Sequence, residues 1–150
     1  MDNQGVAIVA TVVAGGLIAL QAPINAGLGR GVGSPIAAAS ISFAVGTATL
    51  VAIVLLFAGG YGGVGGARGL AWFYFAGGLL GAVYVTTALI TVRTLGAGAV
   101  TAATVTGQLV TSLTLDRIGA FGLAERPLSW PRLLGVALLA AGTFLVVRGR

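Results

Sequence analysis

Val6-Ala7-Ile8-Val9-Ala10-Thr11-Val12-Val13-Ala14-Gly15-Gly16-Leu17-Ile18-Ala19-Leu20-Gln21-Ala22-Pro23-Ile24-Asn25 is the stretch on which the fold turns. It is apolar from Val6 to Leu20 apart from one threonine, then ends in two amides and a proline. A helix needs roughly 20 apolar residues to cross the hydrocarbon of a bilayer, and this run supplies them. The spacing predicts a spanning helix over residues 6–28, preceded by Asp2 and closed by Arg30. Gln21 and Asn25 are four apart and so share a face. Pro23 has no N–H to give, which frees the carbonyl of Ala19 one turn back. In lipid a freed carbonyl needs a new partner or a wet cavity. Two readings follow: a locally broken helix that lines a substrate path with Pro23 as hinge, or an amide clamp between helices.

The rest of the chain agrees with a bilayer as its solvent. Of 150 residues, 57% are hydrophobic and 7% are charged, where soluble domains carry about 25% charge. The net charge of +5 comes from eight Lys or Arg against three acids. The cations are all arginines scattered singly at the ends of apolar runs, which excludes a nucleic-acid patch. With no Cys and no His, disulfides, the usual zinc and haem sites and a Ser-His-Asp triad are excluded. No cofactor, no metal and no enzyme activity are expected.

Four further spans are predicted, over residues 35–57, 70–92, 97–115 and 131–147, with a glycine-rich linker at 59–69. Gly27 to Gly33 reads as a turn, and Ser34-Pro35 as an N-cap followed by proline at the first helical position. Ser40, Ala44 and Thr47 share a face of the second span and suggest a small-residue packing seam. In the third span, Trp72 and Tyr74 read as interface aromatics. Gly77 and Gly81 form a GxxxG pair that lets a neighbouring backbone approach, and Tyr84 projects from the same face. In the fourth span Thr101, Thr104, Gln108, Thr111 and Ser112 form a polar stripe that should look inward. Asp116-Arg117 closes it, either as a gating ion pair or, more plainly, as an anchor in the headgroups. The fifth span is aliphatic and ends in Arg148-Gly149-Arg150.

Five spans put the termini on opposite sides of the membrane. Arg68, Arg117, Arg126 and Arg132 then lie on one side, and Arg30, Arg93, Arg148 and Arg150 on the other. Cationic bias normally sets orientation, and here there is none. Dual topology is the expectation: copies insert both ways and pair antiparallel, or a paralogue of opposite orientation supplies the second half. Such a pair would resemble the inverted repeats of larger transporters, whose sites lie near the midplane.

Gly16 to Asn25 followed by Gly33-Ser34-Pro35-Ile36, then Gly77-Gly78-Leu79-Leu80-Gly81-Ala82-Val83-Tyr84, Gly107-Gln108-Leu109 and Asp116-Arg117-Ile118-Gly119, resembles the half-length, five-helix branch of the drug/metabolite transporter superfamily. These are bacterial inner-membrane exporters related to the small multidrug resistance proteins. The resemblance implies a multi-pass transporter of a small molecule, one half of a ten-helix inverted-repeat assembly working by alternating access. The multidrug exporters exchange protons on a membrane-embedded Glu of their first helix. No carboxylate lies inside a predicted span here, so that mechanism does not carry over. The branch also tends to have His where Arg117 stands.

The expectation is therefore an all-α integral membrane protein with a neutral, hydrogen-bonding cavity from Gln21, Asn25, Tyr84, Thr104, Gln108 and Thr111. A neutral lining suits a neutral or zwitterionic solute. The alternatives are a small-ion channel built from oppositely oriented copies, and an accessory subunit that transports nothing.

Overall fold

The N-terminal apolar run forms α1, Asn3–Val32, in the computed structural model, which describes residues 3–57, 59–62 and 64–149. Asp2 and Arg150, used above as flanking charges, and Gly63 of the linker lie outside the described residues. The helix is longer than the 6–28 expected. It runs through Pro23, which lies inside it, and through the predicted turn at Gly27–Gly31. In an apolar medium no water competes for backbone groups, so glycines that would break a soluble helix stay in one. The turn shrinks to Gly33 and Ser34. There the predicted cap forms: the Ala37 N–H donates to Ser34 Oγ at 3.2 Å, and α2 runs Pro35–Phe57.

The linker is more ordered than its glycine content suggests. Val64–Gly69 and Trp72–Phe75 each form a short 3-10 turn. Trp72 and Tyr74 are exposed within the second of these, ahead of the helix they were expected to begin. The α-helix, α3, starts only at Ala76 and continues to Ile118. It carries both the third and fourth predicted spans, so the described residues contain four helices long and apolar enough to cross a membrane, not five. The difference arises at Gly96, whose φ of 68° and ψ of 159° leave helical backbone inside α3. At 1.5 Å per residue a straight helix of 43 residues would measure about 65 Å, twice the hydrocarbon thickness. The fourth helix, α4, is Trp130–Arg148.

The chain divides into two compact units, Met1–Arg93 and Thr94–Arg150. In the first, Ala39, Val85 and Leu89 form the centre, with Phe43 and Tyr84 packed against them. Ala26 and Ala38 are also buried. The alanines let α1 and α2 come close, while Leu89, Phe43 and Tyr84 supply the larger side chains of the contact. The seam on α2 lies on Ala38 and Ala39; the predicted seam of Ser40, Ala44 and Thr47 is exposed. A Cβ added at Gly77 would meet nothing within 4 Å, and one added at Gly81 would meet the Phe43 ring at 3.4 Å. The glycine pair therefore receives an aromatic edge at one of its positions and no neighbouring backbone.

In the second unit the 97–118 arm of α3 pairs with α4. Thr106 Oγ1 donates to the Ala102 carbonyl at 2.9 Å and lies 2.7 Å from Thr143 Oγ1 on α4. Ala99, Val100 and Leu113 are buried. At 100° per residue Thr106 lies opposite Gln108, so the polar stripe faces away from α4. Gln108, Thr111 and Ser112 are exposed, while Thr101 and Thr104 are half-buried. A stripe expected to look inward thus does not point into the core of its own unit.

Candidate functional site

Helix periodicity puts Ile18, Gln21, Ala22 and Asn25 on one face of α1. Together with Tyr84, Val85 and Ala88 of α3 they line a narrow crevice. The structure thus brings Gln21, Asn25 and Tyr84 to one place within the first unit. The crevice is too narrow to seat a water molecule, so nothing inside it can hydrate a polar group.

Asn25 is the buried polar residue of that place, 4% exposed, and its Nδ2 has no hydrogen-bond partner among the described residues. A buried amide donor without an acceptor forfeits about 1–3 kcal/mol of desolvation. An interhelical clamp would satisfy that donor, and here it is left unmet. Gln21, one turn earlier and half-buried, also lines a second, open pocket of about 440 Å³ with Ser42, Phe43 and Thr47 of α2. Ser42 and Phe43 were not among the predicted site residues. Their neighbour across the helix, Ser40, carried the stronger spacing signal.

A cation stands one residue from Asn25. Arg93 Nη2 donates to the Ala26 carbonyl at 3.1 Å. Sequence placed Arg93 as a stop at the end of a span; the structure lays its side chain over α1, beside Gly29. A side chain added at Gly29 would come within 3.7 Å of Arg93 Nη2 and 3.6 Å of Ala38 Cβ.

Thr104, Gln108 and Thr111 belong to the second unit and share the face of α3 described above. Asp116 does not pair with Arg117. Its Oδ2 accepts from Arg132 Nη2 at 2.6 Å, with both side chains 28% exposed. The Arg126 N–H donates to the Asp116 carbonyl at 2.9 Å. The contact ties the end of α3 to the start of α4; of the two readings of Asp116-Arg117 the ion pair between them is not formed, and Asp116 anchors the two helices to each other. Adjacent residues on a helix point about 100° apart, which is why neighbours in sequence make a poor ion pair. Among the described residues no group of three His, Cys, Asp or Glu comes together to hold a metal.

Long apolar helices with apolar surfaces turned outward mark a multi-pass membrane protein, with a small crevice between two of its helices. Residues 6–145 match the family described as "Putative inner membrane exporter, YdcZ", a drug/metabolite transporter-type exporter family. The chain belongs to that family and is a multi-pass inner-membrane protein. No curated protein and no solved structure matches it.

Proposed function

We propose that the chain exports a neutral or zwitterionic small molecule by alternating access, as one half of an antiparallel pair, and that it carries out no chemistry on its cargo. The unmet Nδ2 of buried Asn25 carries this reading. A donor kept dry and without a partner in the resting structure is a place for an acceptor that arrives and leaves. Gln21 and Tyr84 add hydrogen-bonding groups to the same crevice. A solute carboxylate is also suited to the Arg93 cation beside Ala26. A crevice too narrow for water favours a gated carrier over an open ion pore. Opening is assigned to Pro23, where α1 lacks one backbone hydrogen bond and bends at least cost.

In this proposal α3 acts as two spans meeting at Gly96, which restores five crossings and puts the termini on opposite sides. The balanced arginines then permit both orientations. Gln108 and Thr111 are exposed in the single chain, and an uncovered amide in hydrocarbon costs several kcal/mol. The second copy covers that stripe.

The test is the solute content of spent medium from cells that express the chain. At least one neutral or zwitterionic metabolite is expected to accumulate outside, and to return to the level of non-expressing cells with Gln21→Leu plus Gln108→Leu at equal membrane abundance. An unchanged medium, or full export by the double variant, contradicts the proposal.

A further inference from the structure

The second unit holds an open groove of about 560 Å³ that belongs neither to the crevice of Asn25 nor to the polar stripe. Its walls are Val110, Leu113, Leu128, Leu133 and Val136, and Arg117 is the one charged residue that lines it. From Val110 to Ile118 the groove follows α3 for about 12 Å along its axis. Arg117 stands at the end of that path, where the apolar span closes. The groove is therefore an apolar trough along the helix with a guanidinium at its interfacial end.

The neighbouring charges leave that guanidinium free. Asp116, the nearest carboxylate in sequence, is held by Arg132 at 2.6 Å. Arg132 Nη1 is covered and without a hydrogen-bond partner among the described residues, so a further acceptor is wanted at this end of the unit. Glu125 folds back towards Gly119: a side chain at Gly119 would meet its Cγ at 2.8 Å. Arg117 is exposed and makes no ion pair among the described residues.

We infer that this groove is a binding site for an anionic phospholipid, with one acyl chain along Val110–Val136 and the phosphate on Arg117. The charge and the layout of the groove select that occupant. A phospholipid places a phosphate at headgroup level directly above a hydrocarbon chain, and arginine meets phosphate oxygens through two parallel N–H donors. Basic pockets between membrane helices hold anionic headgroups in the same way. A zwitterionic lipid fills the trough equally well but brings its own cation to Arg117.

The test is native mass spectrometry of the purified full chain in detergent, titrated with phosphatidylglycerol or phosphatidylcholine of identical acyl chains. Wild type is expected to retain phosphatidylglycerol about tenfold more tightly, the worth of one charge-assisted contact. Arg117→Gln should bring the two lipids level, and Val136→Phe, which fills the trough and keeps the charge, should weaken both. Arg68→Gln removes the same charge from the exposed 3-10 turn and should leave the preference intact. Equal binding by wild type overturns the site. So does a loss in Arg68→Gln as large as in Arg117→Gln, which would make the preference one of bulk charge. Competition by glycerol phosphate at the affinity of the whole lipid overturns it as well, because the trough would then contribute nothing.

Discussion

Asn25→Ala is expected to raise the thermal stability of the purified chain and to abolish its transport. Most substitutions at buried positions destabilise, so the sign of the first effect is informative. The wild-type amide is 4% exposed and its Nδ2 is unpaired, in a crevice that admits no water. Removing it recovers about 1–3 kcal/mol of desolvation. Alanine is also the better helix former by about half a kcal/mol, and α1 is helical at this position. Against these stands the lost packing of a small side chain. The net gain is about 1–2 kcal/mol, a rise of a few degrees in the melting temperature of a chain this size. Transport should fall to background because the group that meets the solute is gone. A variant that melts lower and still transports would make Asn25 a clamp between helices. Circular dichroism of the variant in detergent and an export assay in cells that express it separate the outcomes.

Gly96→Ala should cost about 1–3 kcal/mol, the usual strain of a side chain forced into a backbone region that only glycine occupies freely. With φ at 68° and ψ at 159°, Gly96 is held there by conformation, since nothing lies within 4 Å of a Cβ built on it. The chain has two ways to respond. It can keep the break and bear the strain, or restore helix through residue 96 and lengthen α3 beyond what a bilayer holds. Both lower the yield of folded protein. Gly98→Ala is the matched control two residues on. Its Cβ would meet Val146 Cγ1 at an ordinary 3.9 Å, and the change should lie within about 0.5 kcal/mol of wild type or stabilise slightly. Equal behaviour of the two variants would show that the break at Gly96 has no energetic role.

The legible parts of the sequence were those governed by one local rule. Ser34-Pro35 marks a helix start by side-chain chemistry alone, and α2 begins at Pro35 and ends at Phe57 as the pattern requires. The four-residue spacing of Gln21 and Asn25 was enough to put both on one face of α1, and that face lines the crevice. The illegible parts depend on the medium or on distant neighbours. Glycines at 27, 29 and 31 signal a turn in water, yet α1 passes through them, because in hydrocarbon a backbone outside a helix has nothing to bond. The partner of Asp116 lies 16 residues away, across a connector whose path no local pattern reveals. Arg93 marks a span end in sequence, and only the packing of α1 shows that it also holds the Ala26 carbonyl. Thr106 and Thr143 are single hydroxyls on otherwise aliphatic faces, and their pairing at 2.7 Å required both helices to be in place.

The pairing of oppositely oriented copies is the central claim, and topology tests it most directly. Single cysteines at Gln4→Cys and at Gly149→Cys would be labelled from outside intact cells with an impermeant thiol reagent; the chain has no native Cys to confuse the signal. The account predicts that a fraction of each site is labelled, because copies sit both ways up in the same membrane. Complete labelling at one terminus and none at the other would contradict it, and would mean that the second half of the transporter comes from a different chain.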